Sequence, residues 1–219
     1  MLSTLPNLQN LLISDCGLST IAPLAEVKTL VQLDLSNNTI RNLEVLAGMP
    51  GLQELNLKHN ALTDLTALSG LTELTRLDVS FNSLQSLAPL ASCPKLTFLE
   101  AQNNQLSSLG GIENMTGLTY LSVNFNQISD VSLLANLTGM ETLKLSNNQI
   151  SDLSALAGMA KLDSLYFAHN SVENLPAWPE GSALRVIDGA NNSLKSIAPL
   201  AVMKEGFLRC YEQSRDCPV

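Results

Sequence analysis

Leu30-Val31-Gln32-Leu33-Asp34-Leu35-Ser36-Asn37-Asn38-Thr39-Ile40-Arg41-Asn42-Leu43-Glu44-Val45-Leu46-Ala47-Gly48-Met49 is one copy of a pattern that recurs along almost the whole chain. Leu33 and Leu35 have the period of two of a short strand, whereas Leu43, Leu46 and Met49 recur every third residue, as in a 3₁₀-like or extended return segment. Working outward, the asparagine returns every 22 residues as Asn38, Asn60, Asn82, Asn104, Asn126, Asn148, Asn170 and Asn192, with Cys16 one period earlier. Copies begin at Leu8, Leu30, Leu52, Leu74, Leu96, Leu118, Met140, Leu162 and Leu184. One strand, one turn and one return path cannot bury an apolar edge alone, so neighbouring copies must stack and share a core.

The consensus L-x-x-L-x-L-x-x-N-x-L resembles the leucine-rich repeat. The resemblance implies an α/β fold by convention: a curved right-handed solenoid with a parallel β-sheet on its concave face and short 3₁₀ or irregular segments on its convex face. The stretches Asn126-Gln127-Ile128-Ser129-Asp130-Val131 and Asn148-Gln149-Ile150-Ser151-Asp152-Leu153, with Leu134-Ala135-Asn136-Leu137-Thr138, are similar to the bacterial internalin type. The 22-residue period is shared with leucine-rich regulators of protein phosphatases. Residues 1–7 read as a truncated repeat, 8–205 as nine repeats and 206–219 as a C-terminal capping tail. Because Leu2 and Leu5 fall at return-segment positions, the chain is expected to be a fragment or to start at an internal methionine.

The asparagines are expected to form a structural ladder, since an amide supplies both a donor and acceptors to backbone groups that the turn leaves unpaired. Core columns also compensate for one another. Gly181 empties a return position close to Trp178, and Gly189 empties a strand position one repeat after Phe167, so both aromatics and Cys93 are read as core.

The 219 residues are 45% hydrophobic, with a formal charge of −8 and a pI near 4.7. Excess acidity argues against a nucleic-acid partner, which requires clustered Lys and Arg. No run of 18 apolar residues suggests membrane insertion. Catalytic signatures are missing: His59 and His169 share a column but stand about 24 Å apart by strand spacing, too far to share a metal, and Asp78 and Glu100 beside Arg76 and Lys58 read as a solvated face. Neither an enzyme activity nor a cofactor is expected.

Outward strand positions are where a partner is expected. Phe81, Phe98, Tyr120, Phe125 and Tyr166 account for five of the eight Phe and Tyr residues and fall at such positions, with Arg76, Asp78, Glu100, Lys144 and Asp163 as a polar rim. Solubility alone favours Ser, Asn or Thr there, and clustered exposed aromatics commonly mark binding surfaces. The expected function is non-enzymatic recognition of a protein or peptide on the concave face. The internalin resemblance implies a bacterial surface or secreted protein and an extracytoplasmic location. The alternatives are a cytoplasmic regulatory scaffold of the phosphatase-regulator type, or a spacer that associates through its uncapped end at Leu2, Leu5 and Leu8. In the tail, Phe207, Leu208 and Tyr211 are expected to cover the end of the core. A Cys210–Cys217 disulfide would pin that flap and imply an oxidising compartment, with two free thiols as the alternative.

Overall fold

A computed structural model describes residues 5–202 and the backbone of 207–209. Ten three-residue strands occur: β1 Asn10–Leu12, β2 Gln32–Asp34, β3 Glu54–Asn56, β4 Arg76–Asp78, β5 Phe98–Glu100, β6 Tyr120–Ser122, β7 Thr142–Lys144, β8 Ser164–Tyr166, β9 Val186–Asp188 and β10 Phe207–Arg209. They form one parallel sheet in strict chain order. Pairing advances by one full repeat from strand to strand, as in Leu33 opposite Leu55 and Leu77 opposite Leu99. The last step is a residue shorter, with Leu208 opposite Ile187. The start of the tail thus extends the sheet by one strand, and Cys210, Tyr211 and Cys217 lie outside the described residues.

Such short strands persist because each is one rung of a continuous ladder, with the loss of any single pairing shared by its neighbours. The return segments are tight. Seven of them contain a 3₁₀ turn, among them Glu44–Gly48, Thr66–Leu68 and Ser154–Leu156. Their entrances are set by side chains the repeat consensus did not reveal: Asn42, Asp130 and Asp152 accept the backbone N–H two residues on, at 2.7 Å in each case, and Ser86 and Ser196 do the same through their hydroxyls. This local bond is the usual reason Asn, Asp and Ser open turns. In the fifth repeat the turn is replaced by a loop around Gly111, where φ is +105° and a Cβ would lie 2.4 Å from the Leu87 carbonyl oxygen, so only glycine fits. The Glu113 carboxylate accepts the Gly111 N–H at 2.6 Å.

The core runs unbroken from Ile21 to Leu200, filled by the inward strand residues and the return-segment leucines. Leu8, Leu11 and Ile13 are only partly buried, whereas their counterparts Leu30, Leu33 and Leu35 are fully so. Burial raises the Cys93 thiol to about 11, leaving it a small apolar filler. Phe167 and Trp178 are also buried. A Cβ on Gly189 would stand 2.5 Å from Phe167 Cζ, so the ring occupies the space that the next repeat leaves empty.

The asparagine column lies just past the strands and joins successive coils. Asn60 Nδ2 donates to the Leu35 carbonyl of the preceding repeat at 3.0 Å and to its own Leu57 carbonyl at 3.1 Å, while its Oδ1 accepts the Ile40 N–H at 3.0 Å. The same three bonds recur down to Asn192, which engages Phe167, Gly189 and Val172. Asn38 does this work for the first coil, accepting from both Cys16 N–H and Leu18 N–H. Among the described residues no helix is long and apolar enough to cross a membrane.

Candidate protein-binding face

From β2 to β9 each strand buries its middle residue and turns its two flanking residues to the opposite face, so the sheet presents two rows of side chains that cross these strands. One row includes Gln32, Glu54, Arg76, Phe98 and Tyr120, and the other Asp34, Asn56, Asp78, Glu100, Ser122, Lys144 and Tyr166. Parallel in-register pairing keeps these rows straight, at about 4.8 Å per strand. That pitch suits stacked rings, whose preferred centroid separation begins near 4.5 Å.

The middle of the face uses it. Phe98 on β5 and Tyr120 on β6 stack with centroids 4.3 Å apart and planes 10° from parallel. The Arg76 guanidinium lies 4.0 Å from the Phe98 ring centre, and Lys144 Nζ is 5.2 Å from Tyr120 and 5.9 Å from Tyr166. Arg76, Phe98, Tyr120, Lys144 and Tyr166 therefore make one file of cation–ring and ring–ring contacts from β4 to β8, crossing from the first row to the second between Tyr120 and Lys144. The Tyr120 hydroxyl donates to Glu100 Oε1 at 3.0 Å. Partial burial, reinforced by the neighbouring Asp78 charge, holds the Glu100 carboxyl above its ordinary range. Burial followed by the Glu100 charge likewise holds the Tyr120 phenol above its own.

Beside this file a groove of about 310 Å³ crosses β2 to β5, lined by Gln32, Asp34, Glu54, Asn56, Arg76, Asp78, Phe98 and Glu100. Its carboxylates are held in place by neighbours. Asp34 accepts from the Ser36 N–H at 2.8 Å, the Ser36 hydroxyl at 2.6 Å and Asn56 Nδ2 at 3.0 Å. Gln32 donates to Glu54 at 3.2 Å, and the Ser80 N–H donates to Asp78 at 2.8 Å. Sequence reading selected Asp78, Glu100 and Arg76 but passed over Asp34, Glu54 and Asn56. Asp34, Asn56, Asp78 and Glu100 share one column that the repeat period already reveals, but carboxylates at outward positions read there as a solvated face.

Two of the expected face residues stand just past the strands. Phe81 and Phe125 follow β4 and β6 by three residues, in the left-handed region at φ 56° and 55°. Their N–H groups still donate to the next repeat, to the Gln102 and Ser146 carbonyls. Asp15, Asn37, His59, Asn103, Asn147, His169 and Asn191 hold the same position in the other repeats, and Asn, Asp and His are the non-glycine types that tolerate it best. The structure gathers Phe81 with its own neighbours: its ring stacks on His59 at 4.0 Å, with Lys58 Nζ 5.5 Å away. Phe125 remains 52% exposed. Asp163 stands one residue before β8 and forms an ion pair with Arg185 across one repeat, which holds its carboxyl below the ordinary range. Arg185 was not foreseen on this rim.

An open face of parallel strands on a stack of identical coils, with its functional variety confined to outward columns, defines a repeat-solenoid interaction module. Leucine-rich repeat family models match residues 6–62, 50–92, 94–136, 116–158 and 138–180, and the chain belongs to the leucine-rich repeat family. Its repeats are internalin-like. An internalin (inlF) of Listeria monocytogenes shares 28% identity over 98% of this chain and 70% of its own, with a TM-score of 0.76. Internalin C2 of the same species shares 27% over 92% and 80%, with a TM-score of 0.77. The plant peptide hormone receptor RGFR1, solved in complex with RGF2, shares 27% identity with a TM-score of 0.73; the match covers 88% of this chain and 33% of the receptor. Among curated protein sequences none matches the chain.

Proposed function

We propose that the chain is a non-enzymatic recognition module of a bacterial surface or secreted protein, receiving a protein or extended peptide on the β4–β8 face. The observation that carries this reading is the file of Arg76, Phe98, Tyr120, Lys144 and Tyr166. Rings and long cations contribute much binding surface at little ordering cost once they are stacked in place. The file spans four strand spacings, or roughly 19 Å, which suits an extended partner better than a metabolite. The internalin neighbours support the bacterial setting, and the receptor solved with RGF2 supports peptide recognition by a solenoid of this shape.

Partner capture from a native extract by the wild-type chain and by a Phe98→Ser/Tyr120→Ser variant tests it. Both changes are on the face, so the variant should keep its circular dichroism and lose the captured species. An unchanged set of captured proteins would defeat the reading.

A further inference from the structure

Resting on the reading of this face as a partner surface, we propose that its β2–β5 end receives a basic stretch of an extended partner chain. Lysine or arginine side chains would seat among Asp34, Glu54, Asp78 and Glu100, followed by an apolar or aromatic residue against Phe98 and Tyr120. Carboxylates outnumber cations on this part of the face, where Arg76 is the one basic residue lining the groove. Among the described residues, none of these four carboxylates has an ion-pair partner; the ion pairs that do form, Lys95–Glu73, Arg185–Asp163 and Lys195–Glu173, are elsewhere. The cations around them also contact rings: Arg76, which lines the same groove, lies over Phe98, Lys58 approaches Phe81, and Lys144, whose charge acts on Glu100, approaches Tyr120 and Tyr166.

The ring file borders the groove. Phe98 lies between its own Arg76 guanidinium at 4.0 Å and Tyr120 stacked at 4.3 Å, so an incoming apolar residue would pack on the exposed edges of these rings. The groove volume of about 310 Å³ is at the lower limit for ligand sites and suits one long side chain at a time. Glu100 is held above its ordinary range by burial and by Asp78, an unfavourable arrangement that an incoming cation would relieve. Spacing sets the register of the partner. Asp34 and Asp78 are two strands apart, about 9.6 Å, and Tyr120 is a further two, so a chain rising about 3.3 Å per residue covers the site with roughly six residues. The net charge of −8 steers such a segment toward the molecule from a distance.

The test is selection of random 12-residue peptides displayed on phage against the full chain. Selected peptides are then synthesised, and their affinities measured for wild type, Asp78→Asn/Glu100→Gln and Phe98→Ser/Tyr120→Ser. The amide variants keep acceptors for the Ser80 N–H and the Tyr120 hydroxyl, so the face retains its shape. Selected peptides should carry Lys or Arg a few positions from an apolar or aromatic residue. They should bind the amide variant about tenfold more weakly and with less dependence on salt. Neutral or acidic peptides that lose affinity only to Phe98→Ser/Tyr120→Ser would overturn the basic-partner inference while sparing the face. Peptides indifferent to both variants, or no enrichment at all, would overturn the inference, and indifference would sink the face as well.

Discussion

The asparagine column and the outward strand rows lie within a few residues of each other in every coil, yet they obey opposite rules. Eight asparagines from Asn38 to Asn192 repeat nearly the same bonds to the same backbone atoms. The row from Gln32 through Glu54, Arg76 and Phe98 to Tyr120 changes its chemistry at every strand. The difference shows where the fold spends its constraints. A buried backbone N–H must find an acceptor in every repeat, whereas a side chain facing outward is answerable only to its neighbours and to whatever binds.

The sharpest way to break that contrast is at the ladder. Asn104→Ala leaves the Leu84 N–H without its acceptor and removes one of the two amide donors from each of the Val79 and Ala101 carbonyls, which keep Asn82 and Asn126, and Asn104 is itself buried. At roughly 1–3 kcal/mol for one buried N–H left unpaired, plus the net loss of two further hydrogen bonds, the cost should be on the order of 3 kcal/mol, read as a lower urea midpoint. A loss no larger than that of a face substitution such as Phe98→Ser would erase the distinction between the two regions. A smaller effect is expected at the eighth and ninth coils. Gly189→Ala places a methyl against Phe167 and should cost about 2 kcal/mol, most of it recovered in the Phe167→Leu/Gly189→Ala double variant. Additive effects would mean that the two sites are not coupled. The smallest effect carries the opposite sign. Phe125→Asn replaces a strained left-handed phenylalanine with a residue type that tolerates φ of 55°, so stability should rise by about 1 kcal/mol. A loss of stability would show that Phe125 has packing of its own just past β6.

The legible parts of the sequence were those fixed by repetition. The strand middle, the asparagine and the return leucines could be read because each recurs in eight or nine coils around one core. Phe167 and Gly189 were legible as a pair because a gap and an excess occurred one repeat apart. The face was half legible. Outward positions followed from the strand period, but nothing in the alternation marks the left-handed position just past each strand, which Phe81 and Phe125 occupy. The column's other occupants, mainly Asn, Asp and His, were the available clue. Asp34 and Glu54 were passed over for a related reason: a carboxylate looks like ordinary solvation until its neighbours are known.

By itself the sequence determined the coil, its 22-residue pitch, the stacking and the identity of the inward residues, because periodic burial is a local rule repeated many times. Only the tertiary structure decided which outward side chains meet. Arg76, Phe98, Tyr120, Lys144 and Tyr166 belong to five different repeats, and their contact depends on in-register parallel pairing and rotamers that no single repeat encodes. The pairing of Asp163 with Arg185 and the groove between β2 and β5 arise in the same way. Residues 22 apart in sequence become neighbours in space, and electrostatics and stacking act across that distance of a few ångströms.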